Sequence, residues 1–244
     1  MEFLNLFKVK KPIMAMIHLK GYSSEDKRRR WMREAEIYFN NGADGLIIED
    51  YFGSPLYVHK ALAQLSGEYP GKVIGVNILD EPLKSMEAAL EYNAAFIQVD
   101  SVCGHLPPGE DREYEKLMHS LMQNDVAVLG GVRFKYQPVL SGRSTEEDLL
   151  LAMGRASGIV VTGSATGSAT DMEKIKLFRS VIKDFPLIVG AGVNLENVGE
   201  QLSLCDGGIV GSYFKEGHEV SGEVKAENVR VFMDKVKEIR KGLV

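Results

Sequence analysis

His18, Glu49, Asn77, Asp100 and Lys135 each stand at or just beyond the end of a short apolar run, and between them they hold the parts of an acid–base site. Two carboxylates near one pocket can adopt different protonation states when their surroundings differ, which is what proton transfer to and from a substrate requires. A histidine and a carboxamide can orient a polar substrate, and a lysine can stabilise negative charge as it develops. A second set of residues follows further along the chain. Val160-Val161-Thr162-Gly163-Ser164-Ala165-Thr166-Gly167, Val189-Gly190-Ala191-Gly192-Val193 and Ile209-Val210-Gly211-Ser212 are apolar runs that close on glycine, or on glycine with a hydroxyl residue. Backbone free of side chains lets N–H groups come close to an anion. Gly163, Ser164, Thr166, Gly190, Ala191, Gly192, Gly211 and Ser212 are therefore candidate contacts to a phosphate or similar anionic group. Tight strand-to-helix turns are the plainer use of such glycines.

The elements that must position these residues alternate from end to end. Near-continuous Ile, Val and Leu content predicts strands at 13–17, 45–48, 73–77, 96–99, 126–132, 159–162, 187–189 and 208–210. Helical patterns lie between them. Residues 24–40 place Trp31, Ala35 and Tyr38 on one stripe, Ser54-Pro55 offers a cap and a first-turn proline, and 226–241 closes the chain. Ser144-Thr145-Glu146-Glu147 and Thr170-Asp171-Met172-Glu173 both read as capping boxes. The even strands open alike, on small residues (Ala43-Asp44-Gly45, Ser157-Gly158, Asp206-Gly207), and the odd ones share another form (Lys11-Pro12-Ile13, Phe185-Pro186-Leu187). Eight evenly spaced units of two alternating types predict an α/β fold, a single (β/α)8 TIM barrel over residues 1–244, ahead of an open doubly wound sheet.

In such a barrel the chemistry sits at the C-terminal strand ends. Side chains alternate along a strand, so Met14-Met16-His18, Gly45-Ile47-Glu49, Val73-Gly75-Asn77 and Phe96-Gln98-Asp100 each share a face. If that face is the interior, His18, Glu49, Asn77 and Asp100 converge above a packed core, with Arg133, Lys135 and Thr162 at the following strand ends. Each has a structural reading as well: His18 satisfying a carbonyl, Asn77 tying loops together, Asp100-Ser101 starting a turn. Lys135, between Phe134 and Tyr136, suits an anion-binding lysine, a Schiff-base or general-base lysine, or a surface cation. No cofactor is required by this reading. His18, Glu49 and Asp100 could hold a divalent ion, but no ligand spacing supports one, and the absence of a spaced His/Cys cluster speaks against structural zinc.

The formal charge of −5 offers nucleic acid no basic face, and Lys27-Arg28-Arg29-Arg30 reads as a solvated helix surface beside Glu25, Asp26 and Glu34. Cys103, expected in a loop, and Cys205, expected just before a strand, are too few for a disulfide framework, which fits a reducing compartment. The segment 1–11 mixes Leu4, Leu6 and Phe7 with lysines and does not resemble a signal peptide, and no apolar run reaches membrane-spanning length. A cytoplasmic protein without membrane insertion is expected, its partner a small anionic or phosphorylated ligand. Pairing of outer helices into a homo-oligomer is compatible with the fold.

Met16-Ile17-His18-Leu19, Asp44-Gly45-Leu46-Ile47-Ile48-Glu49, Gly75-Val76-Asn77, the Gly163–Gly167 turn and Gly190-Ala191-Gly192-Val193 through Glu196-Asn197-Val198 together resemble the BtpA family, over nearly the whole chain. The resemblance implies a barrel of the ribulose-phosphate-binding type and a phosphosugar- or nucleotide-like ligand. It also implies departures. The family carries an aspartate at the Gly131 position and histidines around Lys135, and asparagine is common at the position of Asp100. Two functions follow as expectations. One is an enzyme on a phosphate-bearing substrate, of nucleosidase, isomerase or aldolase-like lyase type. The other, suggested by the family's role in photosystem I biogenesis, is a non-catalytic assembly factor for a membrane protein complex.

Overall fold

Short, mostly apolar runs have to be covered on both sides, and the chain achieves this by closing them on themselves. A computed structural model describes residues 2–243; Met1 and Val244, the ends of the expected domain, lie outside the described residues. The strands are β1 (Ile13–Ile17), β2 (Gly45–Glu49), β3 (Val73–Asn77), β4 (Phe96–Cys103), β5 (Ala127–Val132), β6 (Gly158–Thr162), β7 (Leu187–Gly190) and β8 (Gly207–Val210). They form a closed parallel barrel in sequence order. The seam pairs β1 with β8, Met14 opposite Ile209 and Ala15 opposite Val210. Around it run α1 (Ser24–Asn40), α2 (Pro55–Glu68), α3 (Pro82–Tyr92), α4 (Pro108–Leu121), α5 (Thr145–Ala152), α6 (Met172–Ile182), α7 (Val198–Leu204) and α8 (Ala226–Lys241). This is a (β/α)8 TIM barrel.

Strand alternation divides the core in two. Ile13, Ala15 and Ile17 face outward into the layer between strands and helices, where Trp31, Ala35 and Tyr38 of α1 meet them. Met14, Met16, Ile47, Phe96, Leu129, Val160, Ile188 and Ile209 fill the bore. A 3-10 turn, Phe3–Leu6, closes the lower end by inserting Phe3, whose ring meets Phe96 edge-on at 5.2 Å. Packing of this kind makes the barrel a filled core with one usable rim.

Several local expectations need correction. β4 does not stop at Val99; its register against β5 shifts between Val99 and Cys103, and the strand continues. Asp100-Ser101 therefore does not start a turn, and Cys103 is buried in a strand rather than held in a loop. At α6 the cap is Asp171, which accepts from the Glu173 N–H, while the Thr170 hydroxyl donates to the Gly190 carbonyl at 2.8 Å. The capping box at α5 forms as the sequence indicates, with Ser144 and Glu147 exchanging bonds. Lys27 is not simply solvated. Its ammonium donates to the carbonyls of Leu19 and Phe52, binding α1 to the loops after β1 and β2.

Candidate functional site

The bore opens at the C-terminal strand ends into a cavity of about 300 Å³. Its acidic wall is built by strand parity. Glu49 ends β2, Asn77 ends β3 directly opposite it in register, and Asp100 lies on the next strand. The Asn77 amide donates to Glu49 Oε2 at 3.0 Å and to Asp100 Oδ1 at 2.9 Å, so one buried amide holds both carboxyl groups. Among the described residues, no arginine or lysine bonds either of them. Burial pushes the Glu49 carboxyl up to about 8, and the neighbouring Asp100 charge adds to this. Asp100 is also raised by burial, against the bonds it accepts from Asn77 and Gln98. At neutral pH Glu49 therefore keeps its proton, as a general acid must.

His18 follows β1 and faces Glu49 across the cavity, Nε2 to Oε1 at 3.8 Å. Burial holds the imidazole well below its ordinary value, and the Lys215 and Lys135 charges add to the effect. Neutral His18 and protonated Glu49 thus meet as two polar groups, not as an ion pair. The ring is packed against Tyr51, centroids 5.3 Å apart. On its far side the Lys215 ammonium lies 2.6 Å from Nδ1.

The opposite wall comes from the loops after β5 to β8. Thr166, Gly167, Gly190, Ala191, Gly192, Gly211 and Ser212 all line the same cavity as His18, Glu49 and Asp100. Ala191 and Gly192 are both left-handed, φ 61° and 60°. A Cβ on Gly192 would lie 2.3 Å from the backbone at Ser168–Ala169, so the β6 and β7 loops can touch only through glycine there. Lys135 crosses between the walls. Its ammonium donates to Thr166 Oγ1 at 3.2 Å and lies over the Phe134 and Tyr136 rings. The Thr166 N–H in turn donates to the Tyr136 hydroxyl at 2.7 Å.

Not every expected residue reaches the cavity. Asn77 lies behind the two carboxyl groups and acts through them. Gly163 packs its backbone on Ser168 and Ala169, and Ser164 is an exposed residue paired with the Ser168 hydroxyl. Neither lines the cavity. Arg133, at the end of β5, is turned away by its left-handed φ of 46° and binds Asp148. Gly131 has no room for a side chain, since a Cβ would lie 2.3 Å from the Phe134 ring; that ring lines the cavity instead. Among the described residues no group of three His, Cys, Asp or Glu side chains is arranged to hold a metal ion.

Two further residues belong to the site. Gln98 shares the inward face of β4 and lines the cavity, and its buried Oε1 has no hydrogen-bond partner. Parity along Phe96-Gln98-Asp100 was the signal for it. Lys215 lies in the turn after β8, beyond the reach of strand periodicity. Among the described residues, no helix is long and apolar enough to cross a membrane.

Comparison with known proteins agrees with this architecture. A solved structure of phosphoribosyl anthranilate isomerase from Thermotoga maritima matches with a TM-score of 0.61 at 17% identity, covering 93% of this chain and 99% of that one. An uncharacterized protein of Pyrococcus abyssi is 30% identical, over 94% of this chain and 97% of its own length. The photosystem I biogenesis protein BtpA of Synechocystis is 24% identical, over 98% of this chain and 92% of its own. A sequence profile described as the BtpA family matches residues 9–238. With the inward-facing His18, Glu49 and Asn77 and the late glycine turns in place on the barrel rim, the chain belongs to the BtpA family.

Proposed function

We propose that the protein is an enzyme that transfers protons on a small phosphate-bearing substrate, sugar-like or nucleotide-like, in a reaction of isomerase, lyase or nucleosidase type. The observation that carries this reading is the pair Glu49 and Asp100, bridged by Asn77 and facing the same cavity as the glycine turns. Glu49 serves as general acid and Asp100 as its partner base. His18 orients the reacting group. Lys135, already bonded at the rim, joins the backbone amides of Gly192, Gly211 and Ser212 in holding the anion. A buried carboxyl group with no directly bonded Lys or Arg partner has a cost in stability, and proton transfer accounts for that cost where a scaffold would not.

The test is thermal unfolding with a panel of phosphosugars and nucleotides, for wild type and Ser212→Asp. A ligand at 100 times its Kd stabilises the native fold by about 2.7 kcal/mol. A carboxylate at position 212 repels the anion and should remove the shift. If no phosphorylated compound stabilises the wild type, or the variant responds equally, the anion site is refuted and an assembly role, as in the name of the Synechocystis relative, becomes the better reading. With a binding compound identified, Glu49→Gln and Asp100→Asn should each abolish turnover while remaining folded. Full activity in both would remove the two carboxyl groups from the mechanism.

A further inference from the structure

Lys215 is 2% exposed although its side chain ends in an ammonium. Its main chain is pinned on both sides. The N–H donates to Ser212 O at 2.9 Å, the carbonyl accepts from Asn228 Nδ2 at 3.1 Å, and the residue bridges to Val224. A buried ammonium is costly unless its donors are met. Nζ donates to the Val220 carbonyl at 2.8 Å and lies 2.6 Å from His18 Nδ1.

The direction of the second bond follows from valence. Burial lowers Lys215 to about 8, so at pH 7 it remains an ammonium, with three donors and no acceptor, and the ring nitrogen facing it must accept. The proton of the neutral imidazole then sits on Nε2, which is the atom facing Glu49. Exchange of the two nitrogens by ring rotation is hindered: Tyr51 packs on the ring, and a Cβ at Gly211 would lie only 3.2 Å from Cε1. The buried charge thus has a use that the acid–base pair alone does not explain.

We propose that Lys215 is a positioning residue that locks His18 in its Nε2–H tautomer, so that the cavity presents a fixed hydrogen-bond donor beside Glu49 and selects an oxygen acceptor on the ligand at that point. The tautomer stands on the contacts of Lys215 and its charge; only the ligand half rests on the function proposed above.

Long-range ¹H–¹⁵N correlation on protein labelled with ¹⁵N-histidine at pH 7 reads this directly. His18 is identified among the five histidines by its loss in His18→Asn. The expected wild-type pattern is a protonated Nε2 and an unprotonated, hydrogen-bonded Nδ1. In Lys215→Met the Nδ1 resonance should move downfield, toward that of a free pyridine-type nitrogen, and Lys215→Arg should return it. A protonated Nδ1 in the wild type overturns the proposal, as does an Nδ1 resonance unmoved by Lys215→Met. If Lys215→Met does not fold, the wild-type spectrum and Lys215→Arg still decide. Ribulose 5-phosphate at millimolar concentration should move the Nε2 proton downfield. No movement overturns the ligand half and leaves the tautomer standing, whereas a failed thermal-shift panel leaves the Lys215 result intact.

Discussion

Two buried ionic clusters lie on opposite faces of β4, and they are built by opposite rules. Outside the barrel, Asp111 receives Arg155 at 2.7 Å and Arg143 at 2.9 Å, and Asp148 receives Arg133 and Arg143 at 2.8 Å each. Burial raises Asp111, but its two guanidinium partners overcome this and hold it below its ordinary value. Inside, Glu49 and Asp100 share a single neutral amide, and burial leaves both raised. Asp111 is thus fixed as an anion on one side of the strand, while Glu49 and Asp100 on the other are kept ready to hold a proton. The outer cluster joins α4, α5 and the β5 loop to the barrel; the inner one is what a reaction would use.

The largest expected effect breaks the outer cluster. Asp111→Ala leaves Arg155, 1% exposed, without its main counter-ion. Removing one partner of a buried pair costs about 3–5 kcal/mol, measurable by urea denaturation. A loss under about 1 kcal/mol would mean that the two clusters are not so different after all.

The inner cluster should respond to pH instead. Glu49 titrates near 8 in the folded chain and at about 4.3 in an unfolded one. Between those values the folded state holds a proton that the unfolded state releases, so the stabilising contribution is complete below about pH 4 and is lost as pH rises through about 8. Wild type should therefore lose stability relative to Glu49→Gln over that window, on the order of a few kcal/mol in all. Parallel unfolding curves at pH 5, 7 and 9 with a constant difference would contradict the buried-acid picture.

The smallest effect sharpens the contrast at Cys103. Its thiol lies 3.6 Å from both Arg143 and Arg155, yet burial pushes it up to about 11. Two cations beside a thiol suggest reactivity; burial forbids it. Iodoacetamide at pH 8 should leave Cys103 unmodified in the folded protein and label it only on unfolding.

Much of this was legible in the residues, and the exceptions share a cause. The bounds of β1 and β3, and the ends of α1 and α8, follow from apolar periodicity and agree with the structure. Parity alone placed His18, Glu49 and Asp100 on one cavity, because alternation along a strand is a local rule. Where the register shifts, the rule stops, and β4 runs four residues further than Val99 although Asp100-Ser101 looks like a turn. Loops obey no period, so Ser164 and Gly163 were assigned to the site on composition and lie outside it. Lys215 shows the same limit from the other side. Nothing in Phe214-Lys215-Glu216 distinguishes it from a surface lysine; only the return of the chain over β8 buries it.

Phe3, stoppered against Phe96, gives the barrel a dead end. Whatever enters past Tyr51 and Tyr136 has to leave by the same doorway, since the floor beneath Met16 and Ile209 is packed hydrocarbon. A ligand in this cavity would therefore enter and leave on the same side of the barrel.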